Sequence, residues 1–221
     1  MANKVFLGVG HGGSDPGAVA NGYKEKDLNL SIALACRDEL IKYGVIVQMS
    51  RTKDENDPLT EVIKECNAFN PDLAIDIHNN AGGGDGAEVY YHYKGGVSKT
   101  LASNILAEIV KTGQNSRGIK TKLNANGTDY FGFIRQTNAP AILIECAFVD
   151  NKNDIKIIDT EAERKAMGVA IAKGILKTLN ISINPESNKT YSVQVGVYKD
   201  KTNAVNMQKK LKSAGFDAII V

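Results

Sequence analysis

Short apolar runs alternating with segments of helical period limit what this 221-residue chain can become. Lys4–Val9, Val45–Arg51, Asp72–Ile77, Ala87–Tyr93 and Pro140–Phe148 are brief, apolar and bounded by Gly, Pro, Asn or charged residues, the marks of strands. Lys26–Tyr43, Pro58–Phe69, Lys99–Lys111 and Glu161–Leu179 carry their apolar residues three and four apart, as helices do. In the first of them Leu30, Ala33, Leu34, Leu40 and Ile41 recur on one face and Gly44 supplies the stop. Strands that alternate with helices predict an α/β fold, a mostly parallel sheet with helices on both faces. No apolar stretch approaches the roughly 20 residues of a membrane helix.

The pattern changes near the end. Ser182–Lys189 is polar with one Pro and reads as a linker. Beyond it a strand (Tyr191–Tyr198), a helix (Lys201–Ala214) and a strand (Phe216–Val221) form a βαβ unit too small to bury a core alone. The expected organisation is therefore a body at residues 1–181, a linker at 182–189 and an appended unit at 190–221. Charge follows the same division: six Lys face three Asp/Glu from Asn184 onward, against 21 and 22 before it. The net charge is only +2 and no basic run stands out, which argues against a nucleic-acid partner. Three cysteines, none in a C-x-x-C arrangement, suit a reducing compartment. The start of the chain reads as a first strand and lacks the long apolar region of a signal peptide, so the expectation is a protein made in the cytoplasm with no membrane segment.

Two of the three histidines, His11 and His78, directly follow expected strands, where open α/β sheets bind ligands. Two imidazoles there suit a shared metal, and Glu25, just before the first helix, is a candidate third ligand. Glu145 stands inside the apolar run Ala141–Phe148, where a carboxylate needs a partner or a task. One alternative pairs it with Arg51 or Arg135. Gly8, Gly10 and Gly13 also spell G-x-G-x-x-G, but Ser14-Asp15-Pro16-Gly17 follows instead of a helix start, and the second strand ends without a carboxylate. A thiol mechanism would use Cys146 or Cys36 with His92, yet Cys146 should face away from Glu145 on a strand.

Gly10-His11-Gly12-Gly13-Ser14-Asp15-Pro16-Gly17-Ala18, Glu25-Lys26-Asp27-Leu28-Asn29-Leu30, Ile77-His78-Asn79-Asn80 and Pro140-Ala141-Ile142-Leu143-Ile144-Glu145 together resemble the zinc-dependent N-acetylmuramoyl-L-alanine amidases of the amidase-3 type. The resemblance implies that His11, Glu25 and His78 hold Zn2+ and that Glu145 is the catalytic glutamate. The implied reaction is hydrolysis of the amide between N-acetylmuramic acid and the L-alanine of the peptidoglycan stem peptide. Gly8-Val9 stands where the family usually has Asp-Pro, Asp76 where Ser is common, and Val62 where Arg is usual; none of these removes a ligand. A decayed, wall-binding protein is the remaining non-catalytic alternative.

Tyr191–Tyr198, Asn203-Ala204, Leu211 and Gly215-Phe216-Asp217-Ala218 resemble the sporulation-related (SPOR) repeat, which implies binding to peptidoglycan glycan. That domain has two βαβ halves and this tail supplies one, so a homodimer joined through the tails is expected. Such a protein, a phage endolysin or a bacterial autolysin, would reach the wall through a holin or on mother-cell lysis.

Overall fold

The computed structural model describes residues 2–183, Gly196 and residues 200–214. The chain divides into two compact units, Met1–Ser187 and Asn188–Val221. In the first unit, β1 (Lys4–Val9) leads through a hairpin of β2 (Val19–Ala20) and β3 (Tyr23–Lys24) into helix α1 (Glu25–Ile41). There follow β4 (Ile46–Met49), α2 (Leu59–Phe69), β5 (Leu73–Asn80), β6 (Ala87–Tyr91), α3 (Val97–Val110) and β7 (Ser116–Lys120). Helix α4 (Gly132–Gln136), β8 (Ala141–Phe148), a 3-10 turn at Ile155–Ile157 and α5 (Glu161–Thr178) complete it.

Six strands form one sheet in the order β4-β1-β5-β8-β6-β7. Neighbours from β4 to β8 run parallel, whereas β6 lies antiparallel to β8 and carries β7 parallel to itself. The expected α/β architecture is present, with an antiparallel edge that the alternation of elements did not announce.

Strand periodicity sorts the side chains between two unequal cores. Val5, Leu7 and Val9 of β1, Leu73, Ile75 and Ile77 of β5, and Ile142, Ile144 and Cys146 of β8 face the larger one, with α1, α3 and α5. The alternate residues Phe6, Ala74 and Ala141 face a small core closed by Val62 and Cys66 of α2 and Phe133 of the five-residue α4. Those two helices cover only one end of their face. Further along it the same alternation presents Gly8, Asp76, Leu143 and Tyr90, aligned in register across β1, β5, β8 and β6. The next row places His78 of β5 opposite Glu145 of β8 and Glu145 opposite Glu88 of β6. The face grades from apolar to ionisable because α2 and α4 stop short of it.

Several expectations shift at this level. Strand β5 continues through His78 to Asn80, since Asn80 still pairs with Phe148, so His78 lies inside the strand and not beyond its end. The β2–β3 hairpin, β7 and α4 were not expected. The hairpin does carry a readable signal: Asn21 and Gly22 both have positive φ, 50° and 84°, as a two-residue turn of this kind requires. In the second unit the expected helix is α6 (Lys201–Ser213), capped by Asp200, whose Oδ1 accepts from the Thr202 N–H at 2.6 Å. The expected strands at Tyr191–Tyr198 and Phe216–Val221, and most of the expected linker, lie outside the described residues.

Helix α5 packs at close range on both neighbours because it carries glycine where they cross. A Cβ on Gly174 would lie 2.5 Å from the Ile105 Cα of α3, and one on Gly168 would lie 2.5 Å from the Ile32 carbonyl oxygen of α1. Gly174→Ala should therefore lower stability by about 1–3 kcal/mol through overpacking, more than the roughly 1 kcal/mol that Ala gains in helix propensity. Urea unfolding checks this; an unchanged or raised midpoint would contradict the close packing.

Candidate metal centre and cleft

His11 follows β1 in a left-handed conformation, φ 63°, which turns the chain sharply at the sheet edge. The loop is held from below by Arg51, which is 2% exposed. Its guanidinium donates to the carbonyls of Val9 at 3.2 Å, Gly10 at 3.2 Å and Lys26 at 2.8 Å. Lys26 donates to the Gly13 carbonyl at 2.8 Å and to Asp54 at 2.7 Å, which pins the outer part of the loop. Arg51 therefore serves the loop, and Arg135 donates to the carbonyls of Asp129 and Tyr130. Neither pairs with Glu145, as one alternative had it.

Glu25 is the first residue of α1, where unpaired helix N–H groups favour negative charge. The hairpin delivers it there: the Glu25 N–H donates to the Ala18 carbonyl at 2.9 Å, and Asn21 ties the turn to the Val149 carbonyl at 2.8 Å. Its carboxylate, 4% exposed, meets His11 Nε2 at 3.1 Å and His78 Nδ1 at 3.0 Å. The backbone N–H groups of Ala18 and Asn79 donate to it at 3.0 Å and 3.2 Å, and Asn29 Nδ2 at 3.3 Å. Burial opposes the charge, but the two imidazoles and the Ala18 N–H outweigh it and hold the carboxyl well below the ordinary glutamate range. One ligand atom each from His11, Glu25 and His78 falls within 4.8 Å of the others, so the three residues are grouped as a metal-binding set would be.

The close approach depends on glycines. A Cβ on Gly10 would overlap the His78 ring at 2.2 Å, and one on Gly17 would lie 2.6 Å from both Glu25 Oε2 and the His11 ring. The two imidazoles stand edge to face with centroids 5.1 Å apart.

Glu145 faces the same space from β8. Burial pushes its carboxyl up to about 7; His78 opposes the shift, while Glu25, Glu88 and Asp76 add to it. Its Oε2 is buried without a hydrogen-bond partner. Glu88, directly opposite, is satisfied by Arg117, Lys120, Tyr90 and Asn80 and stays charged. A cleft of about 590 Å³ opens over this row, with His11, His78 and Glu145 at one end and Leu59, Val62, Phe131 and Phe133 along its apolar wall.

The thiol alternative has no site. Cys36, Cys66 and Cys146 are all buried, and burial pushes the Cys66 thiol up to about 12 and Cys36 and Cys146 higher than a free thiol. His92 meets Asp129 at 3.2 Å, away from this cleft. Nor is the glycine loop a dinucleotide site, since no helix starts until Glu25. Sequence reasoning missed the loop-holding role of Arg51 and missed Asn29, because their long-range acceptors are backbone carbonyls, which no side-chain pattern reveals.

Comparison with known proteins identifies the family. The sequence matches the N-acetylmuramoyl-L-alanine amidase family over residues 5–177 and the SPOR domain over residues 170–221. It is 37% identical to the N-acetylmuramoyl-L-alanine amidase CwlM of Bacillus licheniformis, over 99% of this chain and 84% of that one. Among solved structures, Cwp6 from Clostridium difficile superposes with a TM-score of 0.80 at 41% identity, over 81% of this chain and 30% of that one. The catalytic domain of CwlV, an N-acetylmuramoyl-L-alanine amidase of Bacillus (Paenibacillus) polymyxa var. colistinus, superposes with a TM-score of 0.74 at 27% identity, over 81% of this chain and 99% of that one. The family match over most of the chain and the identity to CwlM show that the chain belongs to the N-acetylmuramoyl-L-alanine amidase family.

Proposed function

We propose that this chain hydrolyses the amide bond between N-acetylmuramic acid and the L-alanine of the peptidoglycan stem peptide, using Zn2+ held by His11, Glu25 and His78. The observation that carries the reading is the Glu25 carboxylate bridging the two imidazoles, with the unpartnered Glu145 Oε2 on the neighbouring strand. Two neutral imidazoles and one carboxylate are a donor set that suits catalytic zinc and leaves a coordination position open. The overlap that a Cβ at Gly10 or Gly17 would cause fits ligands packed for a small ion. When bound, zinc supplies a polarised carbonyl and an activated water.

The chain's own residues supply the rest. Glu145, held near neutrality by burial, takes up the proton released as water attacks the lactyl carbonyl carbon and delivers it to the alanine nitrogen as the C–N bond breaks. An amide nitrogen leaves poorly unless protonated, and Glu145 Oε2, buried with no hydrogen-bond partner, is free to carry that proton. Glu88 is compensated by Arg117 and Lys120 and remains an anion, which keeps the Glu145 proton affinity high. The apolar wall of the cleft shields the reacting amide from bulk water. We further propose residues 1–181 as the catalytic domain and residues 190–221 as a SPOR-like unit that holds the enzyme on the glycan of the cell wall. Val205, Met207 and Leu211 of α6 are only half-buried, which supports pairing of this unit with its counterpart in a second molecule.

Mass spectrometry of digested peptidoglycan should find new N-terminal L-alanine on intact glycan strands; new reducing ends in their place would indicate a glycosidase. His11→Ala and His78→Ala should lose zinc and turnover together, whereas Glu145→Gln should retain zinc and lose about 10²–10⁴ in rate. Stoichiometric zinc in both histidine variants, or a Glu145→Gln enzyme with about half the native rate or more, would reassign these roles. Deleting residues 184–221 should leave cleavage of small soluble substrates unchanged and weaken binding to purified walls. Sedimentation should give a dimer for the full chain and a monomer for the deletion; a full-length monomer at micromolar concentration rules out pairing.

A further inference from the structure

Each imidazole of the proposed metal site turns one ring nitrogen to Glu25 and the other to an aspartate. His11 presents Nε2 to Glu25 at 3.1 Å and Nδ1 to Asp15 Oδ2 at 2.8 Å. His78 presents Nδ1 to Glu25 at 3.0 Å and Nε2 to Asp76 Oδ2 at 3.4 Å. Asp15 sits on an exposed loop, where a carboxylate costs nothing. Asp76 does not: it is 6% exposed, in the middle of β5. Its neighbours across the strands, Leu143 and Gly8, offer its carboxylate no side-chain donor, and its polar partner among the described residues is His78. A carboxylate taken out of water costs several kcal/mol unless it is paired, so packing alone does not explain an Asp at this position.

The neighbouring strand is shaped around this carboxylate. Gly8 lies in register with Asp76, and a Cβ built on it would stand 2.6 Å from Asp76 Oδ1. Unlike Gly12, Gly13 and Gly17, Gly8 has no positive φ, so its backbone does not demand glycine. The space above it is taken first by the carboxylate, with the Phe133 ring next at 3.3 Å. An acceptor on the far nitrogen of a metal-ligating histidine fixes ring orientation and tautomer and raises ligand basicity.

We propose that Asp76 is a positioning residue for His78. It accepts a hydrogen bond from the Nε2–H, which leaves the lone pair on Nδ1, the nitrogen that faces Glu25, and Gly8 is free of a side chain so that the carboxylate can reach the ring. The proposal rests on the reading of His11, Glu25 and His78 as zinc ligands.

Zinc affinity of the full-length protein, measured by chelator competition, separates the two. Native protein that takes up no zinc removes the metal reading and this proposal with it. If native protein binds zinc, Asp76→Ser should weaken binding about 10- to 100-fold, with Asp76→Asn, which keeps the shape and an acceptor oxygen, in between. Gly8→Ala should weaken binding in the native background and change it by less than about twofold in the Asp76→Ser background, because the atom it would overlap most is then gone and the Phe133 ring, present in both, contributes equally. Long-range ¹⁵N–¹H spectra of the zinc-loaded protein should place the His78 proton on Nε2. Affinities of both Asp76 variants within about twofold of native, an equal Gly8→Ala penalty in both backgrounds, or a His78 proton on Nδ1 would overturn the proposal.

Discussion

One buried carboxylate organises the candidate site of the first unit. Glu25 collects two imidazoles, two backbone N–H groups and an asparagine amide from four parts of the chain: the loop after β1, the hairpin, α1 itself and the end of β5. No donor among these would bring the others together alone. A carboxylate among so many polar groups is stable while buried, and those groups are oriented by facing it. The fold supplies this arrangement by starting a helix at the carboxylate, so the helix N-terminus and the ion pairs act on the same charge.

The sheet then decides what else can reach that point. Along one face the residues change from Phe6, Ala74 and Ala141 to Gly8, Asp76 and Leu143, and then to His78, Glu145 and Glu88. The first row is buried under α2 and α4, and the last lies in or beside an open cleft. Opposite-face residues of the same strands are apolar and pack on α1, α3 and α5, until Asn79 at the end of β5, which donates to Asn29 of α1 at 2.8 Å. Stability and chemistry thus share strands without sharing faces. Two carboxylates sit side by side at Glu145 and Glu88 with opposite roles, because one has lost its partners to burial and the other has gained four.

Much of this could be read before the structure, and the reasons are particular. Apolar periodicity exposed the β1, β5 and β8 strands because they are buried on both faces, and the α1 and α5 helices because one side of each meets the core. His11 and Glu145 were conspicuous as polar residues in or after apolar runs. The β7 strand was not legible: Ser116–Lys120 is mostly polar, nowhere fully buried and pairs only at an edge. Helix α4 is too short for a period to emerge. Arg51 was read as a possible partner for Glu145, whereas its donors are spent on carbonyls, which no side-chain pattern reveals. Gly8 looked like part of a phosphate-binding signature, yet its constraint comes from Asp76 on another strand.

The burial of all three cysteines has a consequence for where such an enzyme can operate. Cys36, Cys66 and Cys146 lie in hydrophobic cores on different elements, and burial disfavours the thiolate in each. Thiolates are the species that oxidants, alkylating agents and partner disulfides attack. A folded chain of this kind has no disulfide to lose in a reducing medium and no ready thiol to oxidise in an aerobic one. Its folded body therefore carries no exposed thiol chemistry that follows the redox poise of its surroundings.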